Sequence, residues 1–146
     1  MKKTAIILGT IGLLASLSYA ADIAGQWHGE FDSQIGHQKY LFTFKTDGDK
    51  LTGKASSEVE GQTQKRESDL KEGKITGDTI KFVETLSFND NEIRIQYTGK
   101  VGTNEIAFTR EVGDNIATEE FKATRVQPTA APANSPPATS TNKTSN

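Results

Sequence analysis

Ile93-Arg94-Ile95-Gln96-Tyr97-Thr98-Gly99-Lys100-Val101 is an unbroken period-two pattern. Apolar or small residues hold the odd positions and polar residues the even ones, which is the signature of a strand with one face buried and one face wet. The same texture runs outward in both directions. Ile23, Gly25, Trp27, Gly29 and Phe31 share one face of a first strand, and Tyr40, Phe42 and Phe44 alternate with Leu41, Thr43 and Lys45 in a second. Further strands are expected over Lys50 to Val59, Thr63 to Leu70, Lys74–Ile75, Ile80 to Leu86, Glu105 to Arg110 and Thr118 to Arg125. Turn residues punctuate them at Asp47-Gly48-Asp49, Glu60-Gly61, Gly77-Asp78 and Gly113-Asp114-Asn115. No proline interrupts Ala21 to Val126.

About eight short strands joined in sequence point to an antiparallel meander. Closing it into a small all-β, up-and-down barrel removes its edges, and a flattened β-sandwich is the alternative. The expected inward set is Ile23, Trp27, Phe31, Phe42, Phe44, Leu51, Ala55, Ile75, Ile80, Phe82, Ile93, Ile95, Tyr97, Val101, Ile106, Phe108 and Phe121. Asp49–Lys54, Gly73–Asp78 and Tyr97–Gly102 share a Thr-Gly or Gly–apolar texture, so glycines are expected where the barrel wall is crowded.

The ends read differently. Met1-Lys2-Lys3, an apolar run from Thr4 to Leu17 and the small residues of Ser18-Tyr19-Ala20 form a signal peptide over residues 1–20, cleaved after Ala20. The run is too short to span a bilayer comfortably as a retained anchor. The short basic start has a bacterial look, so the expected destination is periplasmic or extracellular. Residues 127–146 hold all four prolines among Ala, Thr, Ser and Asn, a composition expected to stay disordered, and Asn142-Lys143-Thr144 matches a glycosylation sequon by chance. Residues 21–126 then form one domain, too short for a doubly wound nucleotide-binding fold or a large barrel enzyme. With no cysteine anywhere, a disulfide scaffold, a thiolate metal site and a lipid-modified N-terminus are excluded. Setting aside Lys2, Lys3 and Lys143 leaves 14 Lys+Arg against 19 acidic residues, a net charge of −5 with no basic cluster. Such a domain is expected to bind neither nucleic acid nor an anionic membrane surface.

Gly25-Gln26-Trp27 resembles the Gly-x-Trp signature of the lipocalin and avidin-like (calycin) barrels. In those families the tryptophan closes one end of the barrel against an arginine of the last strand, and Arg125 in Phe121–Arg125 occupies the corresponding place. More broadly, Gly25–Gly29, Phe42–Gly53, Gly73–Phe82 and Tyr97–Val101 resemble a small uncharacterised domain of secreted bacterial proteins, found alone or beside secreted glycoside hydrolases. That resemblance implies a setting more than a chemistry. Avidin-like biotin pockets are walled by several tryptophans and Trp27 is the sole one here, so biotin is not implied.

The functional expectation is an exported, non-catalytic domain that binds a small apolar molecule or a saccharide and needs no cofactor. Trp27, Phe42 and Tyr97 are the candidate cavity lining, with Arg125 as its closing polar group. Tyr40 with the row Arg94, Gln96 and Thr98 is a candidate outer platform for stacking sugars. The alternative is an accessory module of a secreted hydrolase or envelope complex that holds no ligand, and a hydrolase is the third reading. His28 and His37 are expected on solvated surfaces. The carboxylates, Glu84 and Glu119 among them, are expected at strand ends or on the outer face, and neither Asp47-Gly48-Asp49 nor Asn89-Asp90-Asn91 completes a calcium loop. Protein recovered from a periplasmic or culture-medium fraction should begin at Ala21 by intact mass. A membrane-bound product retaining Met1 would instead mark an anchor.

Overall fold

Alternating side chains with bulky aromatics inside and charges outside can be satisfied only by a sheet with a single buried face, and this sheet buries that face by curling onto itself. The computed structural model describes residues 22–88 and 90–128. The expected leader, the expected tail beyond Pro128, and Asn89 lie outside the described residues. The elements are β1 (Gly25–Ser33), β2 (Gly36–Asp47), β3 (Lys50–Val59), β4 (Arg66–Asp69), β5 (Lys71–Thr76), β6 (Thr79–Phe88), β7 (Asn91–Val101), β8 (Glu105–Val112) and β9 (Ala117–Arg125).

The sheet runs β2-β1-β9-β8-β7-β6-β5-β3-β4, and an additional β2–β3 ladder joins its two ends. The result is a closed antiparallel barrel of eight strands with β4 as one extra strand, so the sandwich alternative does not apply. The expected fourth strand, Thr63–Leu70, proves shorter, and the expected Lys74–Ile75 strand proves longer. β4 pairs with the middle of β3 and β5 pairs with β6, with Leu70 buried between them. At Glu72 the backbone turns left-handed (φ 54°), and the β5–β6 register shifts between Lys71 and Lys74. This polar stretch has one apolar anchor, Leu70, and bends around it. β3 meets β5 only near one end, where Lys50 pairs with Lys74 and the Ile75 N–H donates to the Asp49 carbonyl at 2.7 Å.

The expected inward set is inside, with Ile93 and Val101 packed against the core at its margin. Phe42 sits among the other rings, with centroids 5.4 Å from Phe108, 5.8 Å from Phe82 and Tyr97, and 6.3 Å from Phe121. These rings fill the waist of the barrel. Gly99 shows how little space they leave: a Cβ there would come within 2.6 Å of Phe108, 2.8 Å of Ile106 and 2.9 Å of Ile80. Gly99→Ala is therefore expected to destabilise the fold by about 1–3 kcal/mol through overpacking. The check is chemical denaturation followed by Trp27 fluorescence, with a lower midpoint and an unchanged slope.

Candidate functional site

The two ends of the barrel carry different chemistry. At one end Trp27 on β1 is fully buried, and its indole N–H donates to the Ile23 carbonyl at 2.9 Å. The Arg125 guanidinium of β9 stacks over the indole at 4.3 Å from the ring centroid. Its Nη1 donates to the Ala24 carbonyl at 2.9 Å, and its Nη2 donates to the Asp22 carbonyl. Tryptophan and last-strand arginine thus meet as the calycin resemblance implies, and the segment before β1 is tied across this end.

At the other end β1 and β9 part. Their ladder covers only Trp27–Arg125, His28–Thr124 and Gly29–Ala123, while β9 stays paired to β8 as far as Val112–Ala117. The second half of β1 therefore faces the first half of β9 without a ladder. The rings of Phe31 and Phe121 stack across this seam at 4.5 Å. They can approach because Gly29 has no side chain: a Cβ there would lie 2.9 Å from the Phe121 ring.

Behind the seam lies a buried polar chain. Arg110 on β8 donates through Nε to the Tyr97 hydroxyl at 2.9 Å and through Nη1 to Glu119 of β9, while its Nη2 reaches the Tyr40 hydroxyl only at 3.5 Å. The Tyr97 hydroxyl in turn donates to Glu84 of β6 at 2.7 Å, and the other oxygen of Glu84 accepts from Ser68 of β4. The guanidinium carbon lies 5.4 Å from the Phe31 ring centroid, 5.9 Å from Tyr40 and 5.8 Å from Tyr97, a cage of three aromatic faces. Burial opposes the charge of Arg110, but Tyr97, Tyr40 and Glu119 beside it more than compensate and raise its pKa above the ordinary arginine value. Burial, followed by the negative charges of Tyr40 once ionised and of Glu84, pushes the Tyr97 phenol well above its ordinary value. Burial and then Glu84 raise Tyr40 as well.

Of the residues singled out from sequence, Trp27, Phe42, Tyr97 and Tyr40 are all buried. Trp27 and Arg125 close one end, Phe42 fills the waist, and Tyr97 and Tyr40 belong to the polar chain. Tyr40 cannot join an outer platform, because it shares the inward face of β2 with Phe42 and Phe44. Arg94 is outside, held by a bidentate pair with Glu72 at 2.7 Å for both bonds. Glu84 and Glu119 correct the expectation for the carboxylates. Glu84 follows Ile80 and Phe82 on the inward register of β6, and Glu119 faces inward opposite Arg110. Arg110 was missed, although it follows Ile106 and Phe108 in the same alternation. His28 and Glu30 lie on the outer wall, 3.4 Å apart. His37 lies near the start of β2, and its pKa is raised by hydrogen bonds to Asp32 and Glu30. Among the described residues no group of three or more such side chains is arranged to hold a metal ion.

Two shallow depressions, of about 380 and 430 Å³, lie outside the barrel. One runs over β8–β9 at Ala107, Thr109, Glu120 and Lys122, the other over the β5–β6 hairpin at Lys74, Thr76, Thr79 and Lys81. Neither contains a converging set of buried polar groups. The candidate site is the Arg110 end.

The closed eight-stranded barrel is consistent with a calycin-like fold. No protein-family model, curated protein or solved structure matches the chain.

The two arginine–glutamate pairs offer a direct contrast. Arg110→Ala strands the inward Glu119 and removes a donor from the Tyr97 hydroxyl, and is expected to cost about 3–5 kcal/mol, whereas Arg94→Ala on the exposed wall should leave the unfolding midpoint nearly unchanged; urea unfolding of both variants checks this. A pH effect follows from the phenols. Both are harder to ionise in the folded state than in the unfolded one, so the stability they contribute is intact below about pH 10 and is lost as pH rises above it. In a chain lacking Tyr19, phenolate absorbance should therefore appear only together with alkaline unfolding.

Proposed function

We propose that this chain is an exported, non-catalytic barrel that binds a small molecule, one with an apolar body or a saccharide ring, at the seam between β1 and β9. One observation carries the proposal: a charged and phenolic network built on five strands and buried at one end of a mainly apolar interior. Apolar side chains of similar volume would hold this end at least as well, since a buried ion pair seldom stabilises more than its hydrophobic replacement. A mainly apolar surround with a few convergent polar groups is the composition small-molecule sites take. Phe31, Phe121 and Tyr40 form a stacked aromatic wall, and Arg110, Tyr97 and Tyr40 supply the polar groups. In this arrangement Trp27 and Arg125 close the opposite end and Phe42 forms the floor. The acidic domain suits neither nucleic acid nor an anionic membrane as partner.

A second reading, an accessory module of a secreted hydrolase or envelope complex, has its own support. Ile35 and Ile116 are 57% and 62% exposed at the turns that follow β1 and precede β9, at the seam end of the barrel. Native mass spectrometry of protein recovered from an exported fraction separates the two. A retained small molecule, lost in Arg110→Met, is expected. A bare chain that co-purifies with a protein partner through Ile35 and Ile116 would replace ligand binding with the accessory role.

A further inference from the structure

Arg110 is held in an unusual way for a buried arginine. Its partner Glu119 engages it through one oxygen on one terminal nitrogen, and the other terminal nitrogen has only the long 3.5 Å contact to Tyr40. On the outer wall Arg94 shows what a full pairing looks like in this same protein, with both terminal nitrogens at 2.7 Å from both oxygens of Glu72. A guanidinium is a planar fork matched to two carboxylate oxygens. All three Arg110 nitrogens have a partner, but the fork meets a carboxylate on one prong only.

Glu119 is also the most displaceable member of the chain. Its side chain is 13% exposed against 5% for Arg110. It stands on the part of β9 that has no ladder to β1, so a rotation toward solvent breaks no backbone pairing. Glu84 is fixed differently, deep in the barrel between Ser68 and Tyr97.

We propose that the ligand of this site is a small monocarboxylate with an apolar, ring-bearing body, and that its carboxylate takes the place of Glu119 on Arg110. The inference rests on the binding function proposed above and names its ligand class. Charge favours a monoanion. Arg110 pairs with Glu119 and reaches Glu84 only through the Tyr97 hydroxyl, so moving one carboxylate out and one in leaves the balance behind the seam unchanged. A phosphate dianion would add a negative charge beside Glu84, where low local dielectric makes repulsion costly. The stacked pair of Phe31 and Phe121, beside the Tyr40 ring, suits a planar body next to the carboxylate. Glu119 then acts as an internal stand-in that keeps Arg110 paired while the site is empty, and it competes with the ligand.

The test uses 4-phenylbutyrate and its uncharged analogue 4-phenylbutanol as probes, titrated into the purified protein by calorimetry. The wild-type protein should bind the acid at least about tenfold more tightly than the alcohol. Glu119→Gln removes the competing charge and should tighten the acid further, leaving the alcohol unchanged. Arg110→Met should reduce the acid to the level of the alcohol. Should that variant fail to fold, Arg110→Lys keeps the charge, removes the fork and should erase most of the preference. Equal binding of acid and alcohol in both the wild type and Glu119→Gln would overturn the carboxylate assignment while leaving the binding function standing. Tighter binding of both probes in Glu119→Gln would also overturn it, reducing Glu119 to a steric plug. If neither probe binds either protein, the assignment is overturned, and native mass spectrometry decides the binding function separately.

Discussion

A closed ring of eight strands encloses a cross-section that inward side chains just fill. In this protein the ring of Phe42, packed among Phe44, Phe82, Tyr97, Phe108 and Phe121, takes that space. Much else follows from filling the waist with aromatic rings. Volume used there must be released on the wall, and glycines release it: Gly99 beneath Phe108, Ile106 and Ile80, and Gly29 beneath Phe121. A filled waist also divides the interior, so polar chemistry can be placed only toward the ends.

Each end solves its own problem with an arginine, and the two solutions are not equivalent. Arg125 spends its donors on backbone carbonyls of Asp22 and Ala24 and its face on Trp27. It needs no carboxylate because it keeps contact with solvent. Arg110 points inward, where an uncompensated cation is not tolerated, and so it recruits Glu119, two phenols and, through Tyr97, Glu84. Satisfying that network draws on side chains from β2, β4, β6, β7, β8 and β9. It couples the extra strand to the core, since Ser68 of β4 holds the far oxygen of Glu84.

The outer wall has a matching device. Glu72 stands in left-handed backbone where the chain passes from the β3 side to the β6 side, and the bidentate grip of Arg94 on β7 holds it there. Such a conformation persists when its surroundings over-determine it. Here an exposed ion pair reaches across β6, at the place where β3 and β5 are barely paired.

Alternation alone determined the strands, the all-β class and nearly all of the core, because on a pleated strand the buried face is a property of spacing. The Gly-x-Trp signature with Arg125 likewise pointed to the closed end. What alternation could not supply was the sign of a charged residue at an inward position. Glu84 and Arg110 continue the inward registers of Ile80–Phe82 and Ile106–Phe108, but a lone charge reads as surface until its partners are known. Those partners, Tyr97, Tyr40, Glu119 and Ser68, are distant in sequence and meet only when the barrel closes. The seam was hidden for the same reason: where β1 leaves β9 depends on the tilt and crowding of the whole ring, with Gly29 yielding to Phe121. Local spacing decides which face is buried, and only closure decides which buried groups meet.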